Sequence, residues 1–198
     1  MKNIGHGWQY TAYDLGNGRV LKRFHSLPRA YWVIAFGIAK VGKYNFQSVP
    51  SLACAMRDKA LASFDVIRRR NVPPEWIGNP LFLDSLDYEQ DKVVPMSIAF
   101  ISLSTLEKKQ LIDQFIVFTH KLLVYGIIDK SFNMMKNFGL SGDKIVLIDI
   151  GELYDDINFI EQQINIRAWT KQYVAGCIVE SEVREYFIGA MDKAFIST

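Results

Sequence analysis

The residues in this sequence best suited to chemistry are a few carboxylates, amides and one lysine, each set beside a turn. Lys144 to Asp149 (KIVLID) is a continuous apolar run, too short for a helix and typical of a strand buried on both faces, and it ends in the carboxylate of Asp149 followed by Ile150-Gly151. A carboxylate at a buried strand end is costly unless it has a partner. Capping of the next helix is the other use for it. Upstream, the irregular stretch from Gly126 to Leu140 carries Asp129, Ser131, Asn133 and Asn137. Asp129 can accept a proton or cap and orient the loop, and the two roles weigh about evenly. Near the start, Gly5-His6-Gly7 precedes a segment that ends in Val20-Leu21-Lys22. Taken alone, those glycines and that lysine serve a turn and a solvated edge.

These side chains need elements to hold them. The Asn17-Gly18 pair between apolar stretches of Trp8 to Arg23 predicts two antiparallel strands. Met56, Ala60, Phe64 and Ile67 recur at helical spacing between Ala53 and Arg70, with Pro73-Pro74 beyond as a stop. Pro80 to Leu86 and Val93 to Ile101 read as a second hairpin around the polar residues 87–91. From Ser104 to Tyr125, Leu111, Phe115, Phe118 and Leu122 form one stripe, with Gly126 placed as a C-terminal cap. From Ile157 onward, Trp169, Tyr173, Cys177, Tyr186, Phe187 and Met191 fit a helical finish.

Composition narrows the classes. The 198 residues are 49% hydrophobic and 22% charged, as in ordinary globular chains, and predict one domain. With 23 basic and 21 acidic residues the net charge is +2, so no long-range field argues for nucleic acid or an anionic membrane, and no nucleic-acid partner is expected. The run Ala30 to Ala39 is about half the roughly 20 residues a transmembrane helix needs, and reads as core or interface. No transmembrane segment and no secretory signal are visible, so a cytoplasmic location is expected, or a host cell if the chain is a translocated effector. Cys54 and Cys177 have no Cys or His partners at ligand spacing and read as buried thiols.

Taken in order, the glycine-flanked hairpin with its strand lysine, the helix-glycine-loop and the Asp149-Ile150-Gly151-Glu152 strand end resemble the protein-kinase-like fold. The similarity is strongest to small bacterial kinase-like proteins of the PhoP-regulatory-network type and to compact effector kinases. The resemblance runs from Gly5 through Gly151 and implies an α+β, two-lobed architecture: a small antiparallel-sheet N-lobe with one main helix (1–102) and a reduced, mainly helical C-lobe (103–198). It implies that Gly5 and Gly7 approach phosphates, Ala12 covers adenine, Lys22 neutralises phosphate, and Ala99 to Leu103, including Ala99 and Ile101, form the hinge against adenine. Asp58 stands for the acidic helix residue that orients Lys22. Asn137 and Asp149 stand for the magnesium-holding residues, with Asn133 as the competing amide. Asp129 stands as the base or hydroxyl-orienting group.

The sequence departs from the family at three places. Tyr10 replaces the third glycine, Ser131 falls where the base Asp belongs if Ile127-Ile128 is aligned, and Asn137 lies six residues after Ser131 rather than five. The reading is an ATP- and Mg2+-dependent phosphotransferase acting on a protein hydroxyl or a small molecule. The alternative is a pseudokinase that binds nucleotide or protein without transfer. Only 47 residues follow Gly151, so a long activation segment is not expected.

Overall fold

The computed structural model describes residues 1–41, 46–83 and 86–196, and these form an α+β chain with a small antiparallel sheet and several helices. They group into two units, Met1–Ala62 with Asn79–Lys92, and Ser63–Gly78 with Val93–Thr198.

In the first unit the Asn17-Gly18 signal closes the expected hairpin, β2 (Tyr10–Asp14) against β3 (Arg19–Phe24), with Gly18 at φ 79°. A further strand, β1 (Lys2–His6), pairs with β2. Its mostly exposed, glycine-interrupted residues carry no alternation that would have announced it. Next come α1 (Leu27–Val41) and α2 (Val49–Arg69), the second extending the predicted helix at its N-terminal end. Ala30, Ile34 and Ile38 of α1 recur every turn and pack with Val49, Ala53 and Met56 of α2, with Phe24 against them.

The predicted second hairpin is corrected. The strands are β4 (Leu81–Phe82) and β5 (Tyr88–Asp91), so most of the polar stretch expected as a turn is itself the inner strand, in the sheet order β1-β2-β3-β5-β4. Alternation explains it: Tyr88 and Gln90 are buried, while Glu89 and Asp91 reach Arg19 in ion pairs. Asp84 and Ser85, within the first expected strand, lie outside the described residues. Val93 to Ile101 is not a strand either. Only β6 (Val94–Pro95) is extended, and α3 (Met96–Ser102) follows.

The second unit is organised by α4 (Thr105–Val124), whose predicted stripe of Leu111, Phe115, Phe118 and Leu122 is buried. Ser104 and Glu107 form a reciprocal capping box at its start. Beyond it come β7 (Ile128–Asp129), α5 (Met134–Asn137), β8 (Phe138–Ser141), β9 (Lys144–Leu147) and β10 (Leu153–Tyr154). They pair as β10-β7 and β6-β8-β9. The finish is helical as expected: α6 (Ile157–Asn165), α7 (Gln172–Ala175) and α8 (Ser181–Phe195).

Phe115 meets Phe138 edge-on at 4.9 Å and Phe187 at 6.2 Å, tying α4 to β8 and α8. Trp169, Phe187 and Met191 are core, but Tyr173 is exposed and Tyr186 half-buried, hydrogen-bonded to Asp113. Neither cysteine is a buried thiol: Cys54 sits one position off the buried face of α2 and is exposed, and Cys177 is half-buried.

Candidate functional site

The site grows from the end of α4. Gly126 adopts φ 70°, a left-handed conformation that glycine reaches without strain, and its N–H donates to the Leu123 carbonyl while Ile127 N–H donates to Leu122. Ile127 and Ile128 are buried, which anchors the chain as it leaves the helix. β7 then pairs with β10 in the register Leu153↔Asp129 and Tyr154↔Ile128, so Asp129 is held beside the chain that follows Asp149. After Asp129 the backbone turns sharply, with the buried Phe132 at φ 53°, a conformation that costs a non-glycine residue energy. The Phe132 ring is gripped edge-on by Trp169 at 5.5 Å, and this packing holds the turn.

The turn serves Asp129, which is only 4% exposed. Its Oδ2 accepts N–H bonds from Asn133 (3.2 Å) and Ser131 (3.4 Å), and its Oδ1 accepts from Asn137 Nδ2 at 2.7 Å. Burial pushes its pKa up to about 7; the Asn137 bond opposes this, the Asp149 charge adds to it, and the Asn133 and Ser131 N–H groups oppose it. A carboxyl poised near neutrality is able to accept a proton at working pH.

Asn137 joins the three groups. Its side chain meets Asp129, while its main-chain carbonyl accepts N–H bonds from Ile148 (2.7 Å) and Asp149 (3.2 Å). When ionised, Asp129 only accepts hydrogen bonds, and in that state it holds the Asn137 amide with Nδ2 toward Asp129 and Oδ1 away from it. Asn137 therefore presents a carbonyl oxygen, and Asp149, half-buried just past β9, presents a carboxylate. Among the described residues no group of three or more His, Cys, Asp or Glu gathers as a metal site. An amide oxygen and a carboxylate are hard donors of the kind Mg2+ takes, one or two from protein with phosphates and water completing its shell.

Asp149 does not cap the following helix. Its Oδ1 accepts the N–H of Gly151 at 3.4 Å inside its own turn, and α6 is capped by Asp156 instead. Asn133, the competing amide, donates from Nδ2 to the Tyr173 carbonyl, and its buried Oδ1 has no hydrogen-bond partner among the described residues. Ser131 contributes its backbone N–H to Asp129.

In the first unit, Gly5, Ala12 and Lys22 lie opposite one another across β1, β2 and β3, with Tyr88 of β5 next in the same row. Tyr10 is buried, edge-on to Phe24 and Tyr88 at 5.3 Å each, so the position of the third glycine is occupied by a core aromatic. Gly7 donates its N–H to the Tyr10 carbonyl at 2.7 Å. Asp58 is exposed on α2, and among the described residues it forms no ion pair with Lys22. Ala99 and Ile101, expected at the hinge, belong to α3, a helix whose peptide groups bond within it, and Ile101 is 76% exposed.

Sequence reasoning missed Ser63. This serine, 0% exposed, sits within the apolar face of α2, donates to the Ile150 carbonyl (2.6 Å) and accepts from Leu153 N–H (2.9 Å), pinning the turn beyond Asp149. A lone hydroxyl amid Ala60, Phe64 and Ile67 was the available signal. Ser63→Ala leaves two buried backbone groups without that partner, so chemical denaturation should show a loss of about 1–3 kcal/mol. Arg69 and Arg70 both pair with Asp155 at 2.8 and 3.0 Å and fasten the same segment from outside.

No protein-family model matches this chain, and no curated protein matches it. Among solved structures, one described as a complex of Rv3197 with erythromycin from Mycobacterium tuberculosis is similar over 86% of this chain and 51% of that one. The identity is 14% and the TM-score 0.45, and the chain spans about half the length of that protein.

Proposed function

We propose that the chain is a reduced protein-kinase-like domain that binds ATP with Mg2+ and transfers the γ-phosphoryl group to a hydroxyl of a protein or small molecule. The observation that carries this reading is the joining of Asp129, Asn137 and Asp149 through one residue, Asn137. Asp149 and the Asn137 carbonyl oxygen would hold the cation, which when bound neutralises phosphate charge. Lys22, on the third strand, would hold the nucleotide phosphates. Asp129 would take the proton of the acceptor hydroxyl as its oxygen bonds to the γ-phosphorus, the bond from that phosphorus to the bridging oxygen breaks, and ADP leaves.

A second reading, a nucleotide- or protein-binding module without transfer, is favoured by the buried Tyr10 and by the Gly7 amide already bonded to Tyr10. Thermal unfolding of the chain with ATP and Mg2+, with each alone and with EDTA separates these readings. Ligand at about a hundred times its Kd stabilises by about 2.7 kcal/mol, a rise of roughly 5–10 °C for a chain of this size. No metal-dependent rise sinks nucleotide binding. A rise without transfer of label from γ-labelled ATP to any supplied acceptor favours the second reading.

A further inference from the structure

The first unit carries an apolar surface that the nucleotide reading does not use. On α1, Ala30, Ile34 and Ile38 face the core, and the opposite side presents Arg29, Trp32 and Phe36 at spacings of three and four residues. Trp32 is 78% exposed and Phe36 72%. Leu27 and Tyr31 of the same helix are exposed as well. The strand β1 and the residues after it enlarge this surface. The exposed Trp8 lies across Gly37, where a Cβ would come within 2.9 Å of its ring, and Arg29 Nη2 meets His6 Nδ1 at 3.0 Å.

The sequence around α1 carries charge of one sign. Between Asp14 and Asp58 the sequence holds seven Lys and Arg residues and no Asp or Glu. Arg19 and Arg23 are paired with Asp91 and Asp87 on the sheet, whereas Arg29 meets His6 and has no carboxylate partner among the described residues. The polar side chains of α1 are Arg29, Tyr31 and Lys40, and none is acidic. A near-neutral total charge conceals this asymmetry.

We propose that the face of α1 bearing Arg29, Trp32 and Phe36, with Trp8 beside it, docks on an anionic lipid surface, the aromatic rings entering the interface and the cations meeting lipid phosphates. Three observations favour lipid. Tryptophan and tyrosine are the side chains that settle at bilayer interfaces. An amphipathic helix with cations and bulky apolar residues binds anionic lipid in the interface plane. A second copy on the same patch would set cation against cation across a two-fold axis, with no acidic residue in α1 to pair with either. At 15 residues α1 is shorter than a spanning helix, and among the described residues no helix is long and apolar enough to cross a membrane.

The test is co-sedimentation of the full chain with vesicles of phosphatidylcholine containing phosphatidylserine, against phosphatidylcholine alone. Binding is expected to the anionic vesicles, to weaken with salt, and to fall at least about tenfold in Trp32→Ser with Phe36→Ser. Leucine at both positions should retain binding, and Arg29→Glu should remove the preference for anionic lipid. These side chains are exposed, so unchanged melting temperatures check that each variant is folded. No binding to anionic vesicles, equal binding to both compositions, or binding undiminished in the double serine variant overturns the proposal. Self-association in light scattering that the double serine variant abolishes, without vesicle binding, overturns it in favour of a second copy. The outcome is independent of whether ATP binds.

Discussion

Replacement of Asp149 by alanine is expected to erase the ATP- and Mg2+-dependent rise in melting temperature while leaving the fold intact. Asp149 is half-buried, and its carboxylate accepts a single bond of 3.4 Å from Gly151 within the local turn, so its loss should cost about 1 kcal/mol or less in stability. Its N–H bond to the Asn137 carbonyl is main-chain and survives the substitution. The side chain is therefore dispensable for folding, and in the proposed reading it is the group that holds the cation, so the variant would keep only one amide oxygen of Asn137, which cannot neutralise phosphate alone. The metal-dependent shift of roughly 5–10 °C should fall to that given by ATP without metal. Transfer from γ-labelled ATP should drop by about a thousandfold or more, as expected when charge stabilisation on a transferring phosphoryl group is lost. A variant that keeps the full metal-dependent shift would remove Asp149 from the site.

Asp129→Asn should separate catalysis from stability in the opposite sense. In the folded chain the Asp129 carboxyl titrates near 7, above the ordinary value of 3.8, because burial disfavours its charge. The folded state thus binds a proton more tightly than the unfolded state, and wild-type stability falls as pH rises from about 4 to about 7. Asparagine carries no charge there. The variant should exceed the wild type in stability at pH 8 by about 1–4 kcal/mol, with the difference fading toward pH 4. Transfer should move the other way. The base acts ionised, so wild-type transfer should climb with pH and level off above about 7, and Asp129→Asn should lose about a hundred- to ten-thousandfold. An asparagine oxygen must face the Ser131 and Asn133 N–H groups, which leaves its amide toward Asn137 and forces Asn137 to turn its own oxygen inward. Cation binding should weaken with it, so the metal-dependent shift in this variant reads the positioning of Asn137 separately from proton transfer. Transfer unaffected by Asp129→Asn would remove that residue as the base.

Local signals in the sequence determined much of this protein. The Asn17-Gly18 hairpin, the stripe of α4 with its capping glycine and the apolar run ending at Asp149 were legible because each rests on turn chemistry or periodicity within a few residues. The candidate site residues Asp129, Asn137 and Asp149 could be named because their order and spacing resemble the loop and strand end of the kinase-like pattern. Tertiary structure decided the rest. It decided which amide side chain meets Asp129, that of Asn137 and not of Asn133, since that depends on the pairing of β7 with β10 and the turn at Phe132. It made a strand of the polar residues 88–91, because Arg19 on the neighbouring strand supplies partners for Glu89 and Asp91 that no local pattern announces. It made a helix of Met96–Ser102, an apolar stretch short enough to suit either state. Ser63 and Ile150 are 87 positions apart, and a hydrogen bond between them exists only once the chain has folded.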